Sequence, residues 1–183
     1  MSSSLASSIA VKDHLSFTRP GEPFIRFYDE RFKESLRLSN FHPCKLDYQK
    51  ITFLCSEALY HCLRAPGFPH EIFSSLNGRA AWKAAQNMKK ELLFAEDKYG
   101  IMEEIVMIKF SDPDLKEYLL STQSSYLVER TKDKYWGDGL DGSGENNLGK
   151  ILMIARENLG GEFGIVPRPV EYEQFLTRKK LAP

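Results

Sequence analysis

Between Tyr126 and Leu159 the chain passes from an apolar run, Tyr126-Leu127-Val128-Glu129-Arg130, through a glycine-rich loop, Gly137 to Gly144, into a helix-spaced series of Leu148, Ile151, Leu152, Ala155 and Leu159. The first segment reads as a strand. The last has the spacing of a single apolar stripe on an amphipathic helix, which must be buried against a core. Gly160-Gly161 ends that helix. The loop between them holds Asp133, Trp136, Gly137, Asp138 and Gly139, a mixture too polar and too glycine-rich for packing alone to explain.

Upstream, helical spacing dominates. Ile72, Phe73 and Leu76, then Ala80, Ala81, Ala84, Met88 and Leu92, predict two helices separated by Asn77-Gly78. Ile101, Ile105 and Ile108 predict another over 101–110. Asp112-Pro113 opens the next, since proline suits a first helical turn, and it carries Leu115, Leu119 and Leu120. Ser56 is placed to cap a helix through Leu59, Tyr60 and Leu63 that Pro66 stops. Two further strands are predicted, Phe24 to Tyr28 and Tyr48 to Cys55. Helices thus outweigh a few short strands, and strand does not alternate regularly with helix as in a doubly wound sheet. The predicted class is α+β, one compact, mainly helical domain.

Length and charge narrow the function. A chain of 183 residues suits one domain. Residues 1–20 read as a flexible leader closed by Pro20-Gly21-Glu22-Pro23, residues 21–165 as the domain, and 166–183 as a surface tail. Lysine and arginine together number 25, as do aspartate and glutamate. That balance argues against a broad basic surface for nucleic acid, which would enter only as a modified substrate. Cys44, Cys55 and Cys62 have no zinc-knuckle spacing and read as reduced thiols. With no signal-peptide pattern and no run of about 20 apolar residues, the expectation is a cytoplasmic protein without a membrane partner. No feature sets an oligomeric state.

Two other stretches join the loop as places for chemistry. Leu38-Ser39-Asn40-Phe41 is a polar turn after a charged segment, which an ordinary Asn turn also explains. Ser56-Glu57 puts an acid in the first turn of an apolar helix, where the helix dipole favours it whatever its function. The helix opening after Asn146-Asn147 offers backbone N–H groups to an anion. Asp133, Asp138 and Asp141 raise a calcium loop as a rival reading, but their spacing departs from the EF-hand pattern.

Taken in order, Phe27-Tyr28, Leu38-Ser39-Asn40-Phe41, Ser56-Glu57, Leu127-Val128-Glu129, Trp136-Gly137-Asp138-Gly139 and Asn146-Asn147-Leu148-Gly149-Lys150-Ile151-Leu152-Met153 resemble the NADAR family of YbiA-like N-glycosidases. The resemblance covers about residues 24–159 and includes Lys109-Phe110 and Leu119-Leu120-Ser121-Thr122. It implies hydrolysis of the N-glycosidic bond of a small ribosylated or ADP-ribosylated metabolite, either a riboflavin-pathway intermediate or an ADP-ribose derivative. It also implies a site built from a glutamate, two tryptophans and an aspartate. By motif the glutamate falls on Glu57, the second tryptophan on Trp136 and the aspartate on Asp138. Counting back from Val106-Met107 places Tyr99 where the family has its first tryptophan. Trp82, the other tryptophan of this chain, lies in an alanine-rich stretch and reads as a packing residue. Ala58 stands where the family usually has histidine, and Arg64 where it has lysine.

Cleaving an N-glycosidic bond develops positive charge at the anomeric carbon and negative charge on the departing nitrogen. One carboxylate can stabilise the first or activate water, so Glu57 and Asp138 are expected to divide these roles or to bind the ribose hydroxyls. Trp136 is expected to stack on the base or close the pocket, Arg64 to fork onto phosphate, and His61 to donate a proton. Asn40, Phe41, Gly137 and Asn146 complete the candidate substrate-binding set. The scheme calls for no metal and no cofactor. A non-catalytic module binding ADP-ribose or another nucleotide is the alternative.

Overall fold

The computed structural model describes residues 24–28, 33–65, 70–88 and 97–163. The predicted leader and tail lie outside the described residues. The elements in chain order are β1 (Phe24–Phe27), a 3-10 helix (Glu34–Leu38), β2 (Leu46–Tyr48), β3 (Ile51–Phe53), α1 (Ser56–Leu63), α2 (Glu71–Ser74), α3 (Gly78–Asn87), α4 (Lys98–Lys109), α5 (Pro113–Ser121), β4 (Tyr126–Glu129) and α6 (Asn147–Asn158). The class is α+β and mainly helical, as the periodicity predicts. No helix among the described residues is long and apolar enough to cross a membrane.

β1 and β4 pair in parallel, Phe24 opposite Tyr126 and Phe27 opposite Glu129. A parallel pair requires a long crossover, and here the hairpin and α1 to α5 all lie within it. The other edge of β4 is met by a side chain. Asn146 Nδ2 donates to the Leu127 carbonyl at 2.8 Å, and Asn146 Oδ1 accepts from the Glu129 N–H at 3.0 Å. One amide group thus supplies what a third strand would, and Asn146 adopts left-handed backbone (φ 54°) to do so.

The core forms around α1, in which Ala58, Leu59, Tyr60 and Cys62 are all buried. Phe27, Leu38, Phe53, Phe73, Ile105, Val106, Leu119, Leu127 and Leu152 are among the residues packed with it. Asn77 and Asp112 cap α3 and α5, accepting from Ala80 N at 2.9 Å and Leu115 N at 3.0 Å. Arg156 is fully buried and joins α6 to Thr122 Oγ1 and the Ser125 carbonyl.

Three local expectations are corrected. The strand predicted over Tyr48 to Cys55 is instead the antiparallel hairpin of β2 and β3. Gln49 and Lys50 turn the chain at φ 48° and 70°, a geometry usually supplied by Asn-Gly or Gly-Gly, so composition gives no signal of it. Ser56 does not cap α1. Cys55 holds the N-cap position without a side-chain bond, and the Glu57 N–H donates to the Asn40 carbonyl at 3.1 Å. The helix predicted from Ile101 begins a turn earlier, at Lys98, because Asp97 caps it by accepting from Gly100 N at 2.7 Å.

Candidate functional site

Glu57, Tyr60, His61 and Arg64 recur at i, i+3, i+4 and i+7 and so share one face of α1 and its C-terminal turn. That face borders a cavity of about 520 Å³, within the size range of small-molecule sites. The loop after the 3-10 helix adds Asn40 and Phe41, α3 adds Trp82 and Gln86, and α4 adds Met102. Glu129 at the end of β4, with Thr131, Lys132, Asp133 and Trp136 beyond it, forms the opposite side, and Tyr28 completes the lining.

The cavity pairs aromatic surfaces with acids. Trp136 is held edge-on by two tyrosines, its ring centroid 5.6 Å from Tyr60 and 4.8 Å from Tyr135. Asp133 Oδ1 fixes its backbone by accepting from Tyr135 N and Trp136 N at 2.8 and 2.9 Å. The Tyr28 and Phe41 rings lie 6.2 Å apart. A Cβ on Gly78 would come within 2.8 Å of the Phe41 ring, so glycine there lets α3 approach that ring closely. Arg64 Nη1 donates to the Tyr60 hydroxyl at 3.3 Å, while burial pushes that hydroxyl up to about 12.

Glu57 Oε1 lies 2.9 Å from His61 Nε2. Glu129 occupies a different environment. Burial first, then the nearby Glu57, Asp133 and Asp138, pushes its carboxyl up to about 8, so it carries a proton near neutral pH. Among the described residues its Oε2 has no hydrogen-bond partner, and neither has Asn40 Oδ1 or Arg64 Nε. Unpaired buried polar atoms around one cavity leave hydrogen-bonding capacity for a ligand.

Of the residues singled out from the sequence, Asn40, Phe41, Glu57, His61, Arg64 and Trp136 line this cavity, whereas Tyr99, Gly137, Asp138 and Asn146 are not among its lining residues. Asp138 is fully buried, its carboxylate engaged by Arg130 and by Leu140 N at 2.9 Å. Tyr99 packs half-buried at the core edge, where burial, Glu103 and Tyr135 raise its hydroxyl. Trp82, read from the sequence as a packing residue, is instead 48% exposed and lines the cavity. Gly137 serves close approach: a Cβ there would meet Thr131 Cγ2 at 2.3 Å and the Glu129 carbonyl at 2.6 Å. Two of the N–H groups expected to be free where α6 begins are occupied. Asn147 N donates to the Tyr135 carbonyl and Leu148 N to that of Trp136, at 3.2 and 3.1 Å.

The loop aspartates are likewise engaged within the protein. Asp133 holds the Trp136 backbone, Asp138 meets Arg130, and Asp141 accepts from Ser143 N and Oγ at 3.0 and 2.7 Å. No cluster of three or more metal-ligating side chains is found among the described residues.

Glu129 is the cavity acid that the sequence reading passed over. Its signal was available: residues two apart on a strand share a face, and Glu129 shares one with Leu127, which is completely buried. An acid on a core-facing position is a candidate for a perturbed group.

The NADAR domain family matches residues 26–160. A riboflavin biosynthesis protein of Vibrio vulnificus is 29% identical over 150 residues, 79% of this chain and 40% of that protein. The chloroplastic riboflavin biosynthesis protein PYRR of Arabidopsis thaliana is 33% identical over 132 residues, 68% of this chain and 21% of its own length. The N-glycosidase YbiA of Escherichia coli is 43% identical over 67 residues, 36% of this chain and 42% of YbiA. The aligned stretches thus cover less than half the length of each of these relatives. The NMR structure of E. coli YbiA superposes with a TM-score of 0.63 at 28% identity, covering 74% of this chain and 84% of that one. A match running from β1 through α6, joined to a fold shared with YbiA, makes this chain a member of the NADAR domain family.

Proposed function

We propose that the chain is an N-glycosidase that hydrolyses the bond between a nucleobase-type group and the ribose of a ribosylated or ADP-ribosylated metabolite. The observation that carries this reading is the placing of two acids in unlike environments around one aromatic-lined cavity. Glu57 sits beside His61, and Glu129 is buried with its carboxyl raised to about 8. Acid and base roles are commonly divided between two titrating groups in this way. The names of the curated N-glycosidase and riboflavin biosynthesis relatives point the same way.

In this scheme Trp136 and Phe41 hold the base, and Arg64 meets a phosphate. The C–N bond breaks with its electron pair passing to nitrogen, which takes the proton of Glu129. Water adds to the anomeric carbon and gives a proton to Glu57, whose charge also stabilises the cationic sugar. The products are the free base and a sugar with an anomeric hydroxyl, and no cofactor enters. Asp138 acts as a positioning residue: its carboxylate holds Arg130, the residue after Glu129, and accepts from Leu140 N at 2.9 Å.

The test is to incubate the protein with ribosylated metabolites and ADP-ribosylated nucleobases and to follow free base together with ribose 5-phosphate or ADP-ribose. The expected result is equimolar release of both products from at least one substrate. A protein that binds these compounds and releases neither product is a binding module, and the hydrolytic reading fails.

A further inference from the structure

Trp82 is a large apolar side chain left open to solvent at the cavity, 48% exposed, when burying an aromatic ring is ordinarily favourable. Its helix explains the placement. Ala81 and Ala85 turn inward and are buried, which leaves Trp82 and Gln86, one turn apart, facing the cavity. No ring contact or hydrogen bond holds the Trp82 indole among the described residues. Trp136 differs, being fixed by both Tyr60 and Tyr135. The same cavity therefore has one anchored indole and one open indole, and it is also lined by two cations, Arg64 and Lys132.

We propose that Trp82 is a second stacking platform, and that it selects ligands whose phosphate end carries a second planar group over those ending in a single phosphate. The base to be released stacks on Trp136, the phosphates lie against Arg64 and Lys132, and the second planar group covers Trp82. This rests on the hydrolytic reading for the identity of the first base. The platform itself is a statement about binding and can be measured apart from turnover. Stacking a base on an aromatic side chain changes affinity by about 5- to 160-fold. Trp82 projects from the outer face of α3, so its removal leaves the buried alanines of that helix in place.

Binding of ADP-ribose and of ribose 5-phosphate is measured by calorimetry for the wild type, Trp82→Ala and Trp82→Phe, with folding checked by circular dichroism. The wild type is expected to bind ADP-ribose more tightly than ribose 5-phosphate. Trp82→Ala should weaken ADP-ribose by about tenfold and leave ribose 5-phosphate unchanged, and Trp82→Phe should restore most of the loss. Equal weakening of both ligands, or of neither, overturns the platform. So does a wild type that binds the two ligands equally, even if it hydrolyses a substrate. A Trp82-dependent preference for ADP-ribose in a protein with no turnover keeps the platform and removes the hydrolytic reading.

Discussion

Arg130 engages the fully buried carboxylate of Asp138, while the Asp138 N–H donates to the carbonyl of Glu129, the residue just before Arg130. The aspartate of the Trp-Gly-Asp-Gly string is thereby joined to the backbone of the cavity acid. Two accounts of Asp138 follow, and they differ in what its loss does.

As a positioning residue, Asp138 is needed for the fold. Asp138→Asn leaves the Arg130 guanidinium buried without its counter-charge, and breaking such a pair costs about 3–5 kcal/mol. A large fall in the thermal midpoint is expected, with lost turnover in proportion to lost folded protein. A variant as stable as the wild type but without turnover would make Asp138 a direct participant.

Glu129 makes a prediction in pH. Its folded carboxyl lies at about 8, against 4.5 for the ordinary group, so the native state binds the proton more tightly than the unfolded chain does. Stability from this group is full below pH 4.5, falls as pH rises through the window, and is lost above 8. Glu129→Gln does not titrate. Its unfolding free energy relative to wild type, from chemical denaturation, should therefore rise between pH 5 and pH 8.5, by an amount on the order of 1 kcal/mol or more. Wild-type turnover should decline above about pH 8 as the proton donor is lost, and Glu129→Gln should be inactive throughout. A stability difference independent of pH would mean that Glu129 is not held protonated.

Asn146 is expected to act on the same strand. Asn146→Ala removes both side-chain bonds to β4 and leaves the Leu127 carbonyl and the Glu129 N–H without them, at about 1–3 kcal/mol for each buried group left unpaired. It also places alanine in left-handed backbone. Chemical denaturation should give a clear loss of stability. Asn146→Ala at wild-type stability would contradict the edge-strand role.

Much of the fold was legible because apolar spacing and capping residues act locally. The α6 stripe, the Asn77 break and the Asp112-Pro113 start could be read directly. The β2–β3 turn could not, since Gln49 and Lys50 adopt left-handed backbone without the usual residues. In the site, the i, i+3, i+4, i+7 face of α1 follows from its sequence. Which loop residues meet that face depends on the tertiary pairing of β1 with β4. That pairing carries Glu129 to the cavity and leaves Asp138 behind it in contact with Arg130. It is a contact across about a hundred residues, and no local pattern encodes it.

The central claim is that the acids of this cavity break an N-glycosidic bond, and the most direct test compares wild type with Glu57→Gln on the best substrate found. Glutamine keeps the shape of the side chain and removes its charge and its ability to take a proton. Turnover should fall by about 10²-fold or more, while product affinity stays within a few-fold of wild type. Equal rates of product release from the two proteins would contradict the account.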